Sequence, residues 1–180
     1  MAAALAVTQL RAQLSSPPHN KTADEDIALG FVYFTDAYAA HANDLLRYLH
    51  TELPFVQRWV GSVGIGILAT GVEYMDEPAM ALMLCDIPTE QVQVFSGVSP
   101  LAPSGDAALG WPVQSAWVHC DGAVPDLSAL VEELAQRTVH NVVFGGISSS
   151  RNEAVQIAYE DSRHLGLDRP KGGVLLGGLS

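Results

Sequence analysis

Two glycines, three serines and an arginine follow one another in the segment FGGISSSR, and together they can hold an anion. Gly145 and Gly146 allow backbone N–H groups to approach a ligand closely, and the hydroxyls of Ser148 and Ser149 add hydrogen bonds. Arg151 can donate two parallel hydrogen bonds to a carboxylate or phosphate. The alternative is a serine-rich surface turn that ends in a solvated arginine. The serines lack G-x-S-x-G spacing, so nucleophilic catalysis has no support here.

A second glycine-rich segment, GSVGIGILATG, predicts another close approach of the backbone to a ligand. Its candidate binding residues are Gly61, Ser62, Gly64 and Gly66, and Glu73 shortly after them can bind a ligand ammonium group. The spacing fits neither the G-x-G-x-x-G dinucleotide fingerprint nor a phosphate loop with G-K-[ST]. The alternative interpretation is a tight bend or close strand packing.

Histidines, acids and cysteines add weaker candidates. His140, just before the second glycine segment, is a possible axial haem ligand, or else a polar residue at a helix-to-strand junction. Asp36 and Asp121 precede helical patterns and are interpreted as turn or cap residues. Cys85 and Cys120 lack C-x-x-C spacing, which favours free buried thiols.

Composition and charge restrict the class of protein. The chain has 180 residues, of which 48% are hydrophobic and 16% charged, with a formal net charge of −11. This composition predicts a globular domain, and its negative charge disfavours nucleic acids and acidic membranes as partners. The apolar runs fall well below the roughly 20 residues of a membrane helix, and the apolar N-terminus lacks the basic start of a signal peptide. We expect a soluble, cytoplasmic protein.

Hydrophobic periodicity predicts the elements that position these segments. A short N-terminal helix and a linker occupy residues 1–26, and a polar loop occupies residues 97–112. Apolar spacing predicts helices over 36–52 and 126–138, the second capped by Asp126. The predicted strands are 27–34, 79–85, 115–120, 141–147, a half-exposed strand around 155–159, and an apolar strand over 172–179. Because the chain stops on that last apolar strand, we expect the natural protein to continue.

An internal repeat relates the two glycine segments. Residues 31–62 align without a gap with residues 116–147, so that Asp36 matches Asp121 and Gly61 matches Gly146, each pair 85 positions apart. This predicts an α+β fold of two duplicated strand-helix-strand-strand units, with helices packed on a mixed, largely antiparallel sheet. The two glycine edges would then face each other across a ligand-binding seam.

Four segments together resemble the N-terminal half of the FIST sensory domain, over about residues 27–180. These segments are 60–74, 77–84, 143–149 and 172–180. The resemblance implies an intracellular signal-transduction input that binds a small ligand such as an amino acid, and in some members haem for nitric-oxide sensing. It also implies two partners, a C-terminal FIST half beyond residue 180 and a signalling output protein. Relatives often have Cys where this chain has Ser62, which weakens a thiol-based role.

Three functions therefore remain open from the sequence. The first is small-ligand sensing at the two glycine edges, without a resident cofactor or with haem. The second is an enzyme that acts on a small acidic or amide substrate, which would require a base within reach of Ser148 or Ser149. The third is a pure interaction module with an exposed apolar patch.

Overall fold

The computed structural model describes residues 2–16, 27–96, 112–160 and 171–177. Its α-helices are α1 (Ala2–Leu14), α2 (Ala42–Glu52) and α3 (Leu127–Gln136), with 3-10 turns at Asp36–His41 and Thr89–Gln91. Its strands are β1 (Leu29–Thr35), β2 (Arg58–Gly64), β3 (Gly66–Ala69), β4 (Val72–Met75), β5 (Met80–Cys85), β6 (Val92–Ser96), β7 (Val113–Asp121), β8 (Val143–Ser148), β9 (Gln156–Glu160) and β10 (Lys171–Gly177). The predicted linker and the predicted loop lie mostly outside the described residues.

The strands form two four-stranded sheets and a separate hairpin. The first sheet has the order β5-β1-β2-β9, the second has the order β6-β10-β7-β8, and β3 pairs with β4. Of the seven pairings between described strands, only β1 with β2 and β7 with β8 are parallel. The predicted α+β class, with helices on a mixed and largely antiparallel sheet, is confirmed, although the strands divide into two sheets.

The two sheets pack face to face, with helices on their outer faces. Alternate residues of β1 point to opposite sides, so Val32 and Phe34 join the core beneath α1 and α2. Phe31 lies on the other face and contacts Trp117 of the second sheet, with ring centroids 4.8 Å apart. On the far side of the second sheet, Leu134 of α3 belongs to a third apolar cluster. Both faces of β1 are therefore covered, as its apolar run predicts.

The helices follow their apolar spacing with one exception at a cap. Leu45, Leu46 and Leu49 form the buried face of α2, but residues 36–41 are a 3-10 turn rather than α-helix. Asp126 precedes α3 in a left-handed conformation and makes no side-chain cap hydrogen bond, so the predicted cap is wrong. A capping residue usually has an extended backbone, whereas Asp126 has a left-handed φ of 53°, which aspartate tolerates.

Strands β9 and β10 are more enclosed than the sequence indicates. Val155, Ile157 and Tyr159 join the helix-side core while Ala158 packs towards the second sheet, so β9 is buried on both faces and not half-exposed. Strand β10 lies between β6 and β7, so it is an interior strand paired along both edges.

Each predicted unit contains two parallel strands joined by a helix, namely β1-α2-β2 and β7-α3-β8. In the first unit Val32 lies opposite Gly61, and in the second Val118 lies opposite Gly145. A constant shift of 85 would instead match Gly61 to Gly146. The pairing register therefore makes Gly145 the counterpart of Gly61, and the duplication itself stays a prediction.

Candidate functional site

The glycine-bearing strands of the two units meet at their carboxyl ends. Ser62 Oγ of β2 lies 2.6 Å from Ser148 Oγ of β8, across the boundary between the sheets. Just beyond these strands, the backbone N–H of Ile65 donates a long hydrogen bond of 3.4 Å to Ser149 Oγ. The structure thus brings Ser62, Ser148 and Ser149 of the sequence-predicted site together.

The serine hydroxyls belong to a small network of hydrogen bonds. Gln156 Nε2 donates to Ser148 Oγ at 2.7 Å, and Ser62 Oγ lies 3.2 Å from the Val63 carbonyl oxygen, which can accept its proton. In the contact between Ser62 and Ser148, either hydroxyl can be the donor. The hydrogen bonds described for Ser148 and Ser149 involve no imidazole or carboxylate.

Arg151 is held by two carboxylates. Its backbone N–H and its Nε both donate to Asp36 Oδ2, at 3.0 and 2.8 Å, while its Nη2 donates to Asp36 Oδ1 at 3.0 Å. Its Nη1 donates to Asp76 Oδ1 at 2.6 Å. These hydrogen bonds hold the pKa of Asp36 at about 2, and they raise the pKa of Arg151. The positive charge of Arg151 is therefore already compensated within the chain.

Asp36 lies in a turn, as predicted, and its carboxylate also forms an ion pair with a distant arginine. It is a buried residue at the start of the 3-10 turn, and Arg151 is its main partner. It joins the end of β1 to the loop after β8, and Asp76 joins the same arginine to the end of the β3–β4 hairpin. Asp121 behaves as predicted, because its Oδ1 accepts a hydrogen bond from the backbone of Ala123 in a turn.

The glycines of the predicted site differ in whether the structure requires a glycine at that position. A Cβ at Gly61 would lie 1.7 Å from the Val32 carbonyl oxygen, and one at Gly145 would lie 1.8 Å from that of Val118. Gly145 also has a φ of +128°, which other residues rarely adopt. Both glycines are therefore required for close strand packing. A Cβ at Gly146 would meet nothing within 4 Å.

Two concavities flank the β3–β4 hairpin. The first, which we call the Tyr33 concavity, has a volume of about 240 Å³. It is lined among others by Tyr33, Ser62, Gly64, Gly66, Leu68 and Ala81. The second, the Glu73 concavity, has a volume of about 260 Å³. It is lined among others by Ile65, Gly66, Leu68, Glu73, Met75 and Ser149. Five of the ten predicted binding residues thus line these two concavities, namely Ser62, Gly64, Gly66, Glu73 and Ser149.

Tyr33, which lines the Tyr33 concavity, forms a polar pair with His119 that was not predicted from the sequence. Tyr33 Oη lies 3.1 Å from His119 Nε2, and the rings meet edge to face. Burial raises the pKa of Tyr33 to about 12, an effect that the nearby Trp117 indole partly opposes. Burial also lowers the pKa of His119 to about 4. Both side chains are neutral at pH 7, and their isolated polar positions within otherwise apolar strands were the available signal.

The remaining candidates lie apart from these concavities. His140 is exposed in the turn before β8, at the end of that strand opposite Ser148. Cys120 is buried but Cys85 is only half-buried, and neither forms a disulfide. Within the described parts of the chain, no three His, Cys, Asp or Glu side chains are grouped as a metal site.

The chain belongs to a known class of sensory domain. The family model for the FIST N domain matches residues 28–167, and the chain belongs to the FIST family. This family is associated with sensory and signal-transduction roles. Comparison with curated proteins and with solved structures found no match. Among the described residues, no helix has the length and apolar character needed to cross a membrane.

Proposed function

We propose that this chain is the small-ligand-binding part of an intracellular signal-transduction protein, and that its ligand occupies the Tyr33 concavity. The observation that supports this most strongly is the meeting of the β2 and β8 ends beside a recess bordered by a separate hairpin. Recesses where elements from two halves of a domain converge are common ligand sites. The family membership supports the sensory role.

The hairpin provides a way to report occupancy. Strands β3 and β4 pair only with each other among the described strands, and Leu68 between the two concavities is 83% exposed. A ligand that contacts Leu68 would bury this side chain and restrain the hairpin. Arg151 and Asp76 connect the hairpin to β1, so the restraint would reach the first sheet. The output partner in this proposal is a signalling protein, and the C-terminal FIST half remains a further proposed partner.

The sequence predicts an amino-acid ligand and an anion-binding role for Arg151, but an amino-acid carboxylate has poor access to this arginine. Arg151 already faces Asp36 and Asp76, so an amino-acid carboxylate would compete with two carboxylates for it. Glu73 remains available in the Glu73 concavity for an ammonium group. Haem through His140 has less support, because His140 lines neither of the two concavities.

A thermal-shift screen of amino acids, nucleotides and haem tests the proposal. A ligand at a hundred times its dissociation constant adds about 2.7 kcal/mol of stability. Binding of any ligand found in the screen is then measured with two variants. Ala81→Leu fills the Tyr33 concavity, and Ala129→Leu is a matched change on the exposed face of α3. Loss of binding in the first variant alone supports the site. An empty screen, or equal binding by both variants, would contradict it.

A further inference from the structure

The side chains that line the Tyr33 concavity carry no charge. Tyr33 and Ser62 contribute hydroxyls, and the other lining residues contribute glycine backbone and apolar groups. Arg151, which joins the β3–β4 hairpin to the first sheet, is paired with Asp36 and Asp76. An ionised ligand group moved from water into this recess would lose hydration without gaining an opposite charge, which is costly.

The hydroxyls of Tyr33 and Ser62 also determine which hydrogen-bonding groups a ligand needs. The single hydroxyl proton of Ser62 is used towards either Val63 or Ser148, so Ser62 can only accept a hydrogen bond from a ligand. Tyr33 shares one hydrogen bond with His119, and either ring tautomer leaves the phenol oxygen able to interact further. The Tyr33 and His119 pKa values keep this pair neutral at pH 7. A ligand group with both a donor and an acceptor matches these walls.

The volume limits the size of the ligand. At about 240 Å³, the recess is smaller than the roughly 300–1,000 Å³ of pockets for drug-sized ligands. It therefore suits a molecule of one ring or less. The net charge of −11 additionally disfavours the approach of anions from solution.

We propose that the Tyr33 concavity binds an uncharged, single-ring molecule with an amide or lactam group and rejects the corresponding carboxylate. This inference rests on the proposed sensory function, since it assigns a ligand class to the same site. It departs from the prediction of a carboxylate held by Arg151, because the structure places two acids on that arginine.

The experiment compares matched pairs of probes, nicotinamide with nicotinate and benzamide with benzoate, at pH 7, where the acids are ionised. Binding is measured by calorimetry to the full chain. We expect each amide to bind at least about tenfold more tightly than its acid, because the acid must give up hydration in an uncharged recess. Equal binding, or tighter binding of the acids, would overturn the inference.

Two variants locate the effect. Tyr33→Phe removes one hydroxyl and should weaken amide binding about fivefold to tenfold, as expected for a neutral hydrogen bond. Tyr48→Phe, a matched change on α2 in the outer helical layer, should leave it unchanged. Ala81→Lys places a cation at the lining of the concavity and should reverse the preference towards the acids. Amide binding that survives Tyr33→Phe unaltered contradicts the assignment.

Failure of this inference and failure of the sensory function give different results. If neither amide binds up to millimolar concentration, the ligand class is wrong. An amino acid that binds in the broad screen, and loses binding in Ala81→Leu, would then preserve the proposed function. An empty broad screen together with no amide binding would contradict both.

Discussion

Tyr33 and His119 occupy equivalent positions in the two β-α-β units, and they hydrogen-bond to each other across the sheet interface at 3.1 Å. Tyr33 lies opposite Ser62, the residue after Gly61, and His119 lies opposite Gly146, the residue after Gly145. Two residues before each of them, Phe31 and Trp117 make the ring contact between the sheets. The two units therefore face each other through corresponding side chains, beside the Tyr33 concavity.

The His119 environment predicts a pH-dependent stability. Its pKa is lowered from 6.5 to about 4 by burial, so the unfolded chain binds the proton more readily than the folded one. The stabilisation is complete above about pH 6.5 and is lost as the pH falls towards 4, by up to roughly 3 kcal/mol. Urea unfolding between pH 7 and 4 should show this decline in the native chain and a shallower decline in His119→Gln. His140→Gln, at an exposed histidine, should keep the native slope, and identical slopes in all three proteins would contradict the prediction.

The Asp36–Arg151 ion pair should stabilise the fold in a different pH range. Because the pKa of Asp36 is lowered to about 2, its contribution is present above the ordinary value of 3.8 and is lost as the pH falls towards 2. Asp36→Asn should lower the melting temperature at pH 7 by on the order of 5 °C, since the variant leaves Arg151 without its main partner. The difference from the native chain should shrink below pH 4. Asp44→Asn, at an exposed pair on α2, serves as the control and should change little.

The neighbouring glycines of β8 should respond oppositely to alanine. Gly145→Ala forces a Cβ against the Val118 carbonyl at a φ of +128°, which should cost about 1–3 kcal/mol or more. Gly146→Ala meets open space and should stay within about 0.5 kcal/mol of the native stability. Chemical unfolding of both variants checks this. A larger loss for Gly146→Ala would disprove the assigned strand register, in which Gly145 is the counterpart of Gly61.

The Ser62–Ser148 contact should appear as an energetic coupling between the sheets. Single alanine substitutions and the double substitution form a cycle, and we expect a coupling of about 0.5–1.5 kcal/mol in unfolding free energy. Ser148→Ala should be the more costly single change, because it also removes an acceptor for Gln156. A cycle on Ser62 and Ser128, which lies on the exposed face of α3, provides an uncoupled reference. A coupling of zero for the first pair would mean that the two serines do not hold the sheets together.

The sequence predicts local structure well where a short range of residues determines it. The spacing of Leu45, Leu46 and Leu49 predicts the buried face of α2, and the apolar run around Phe31 predicts a strand covered on both sides. The glycine segments also correctly indicate strand ends that meet, since Ser62 and Ser148 are in contact. These features depend on periodicity and backbone sterics, which are properties of neighbouring residues.

Contacts between distant residues could not be predicted in this way. Arg151 lies 115 positions from Asp36 in the sequence. The residues around each of them do not indicate that the two side chains form an ion pair, which compensates the charge of Arg151. The anion-binding role of Arg151 stays a prediction, in which an anion must compete with Asp36 and Asp76 for the guanidinium. Tyr33 and His119 were likewise missed, because their pairing depends on how two sheets stack. Strand pairing order, which places β10 inside its sheet, is also a global property.

The interior position of β10 affects how the protein can fold as it is synthesised. Gly172 of β10 pairs with Ser96 of β6 on one side and with His119 of β7 on the other. Strand β10 is also the last of the described strands to be translated. A ribosome paused before residue 171 would hold a chain in which β6 and β7 have no strand between them. Unpaired edges of this kind recruit other chains, and such long-range pairings form slowly. The newly made chain should therefore depend on chaperone protection until β10 has emerged from the ribosome, and the second sheet should be the last part of the described fold to form.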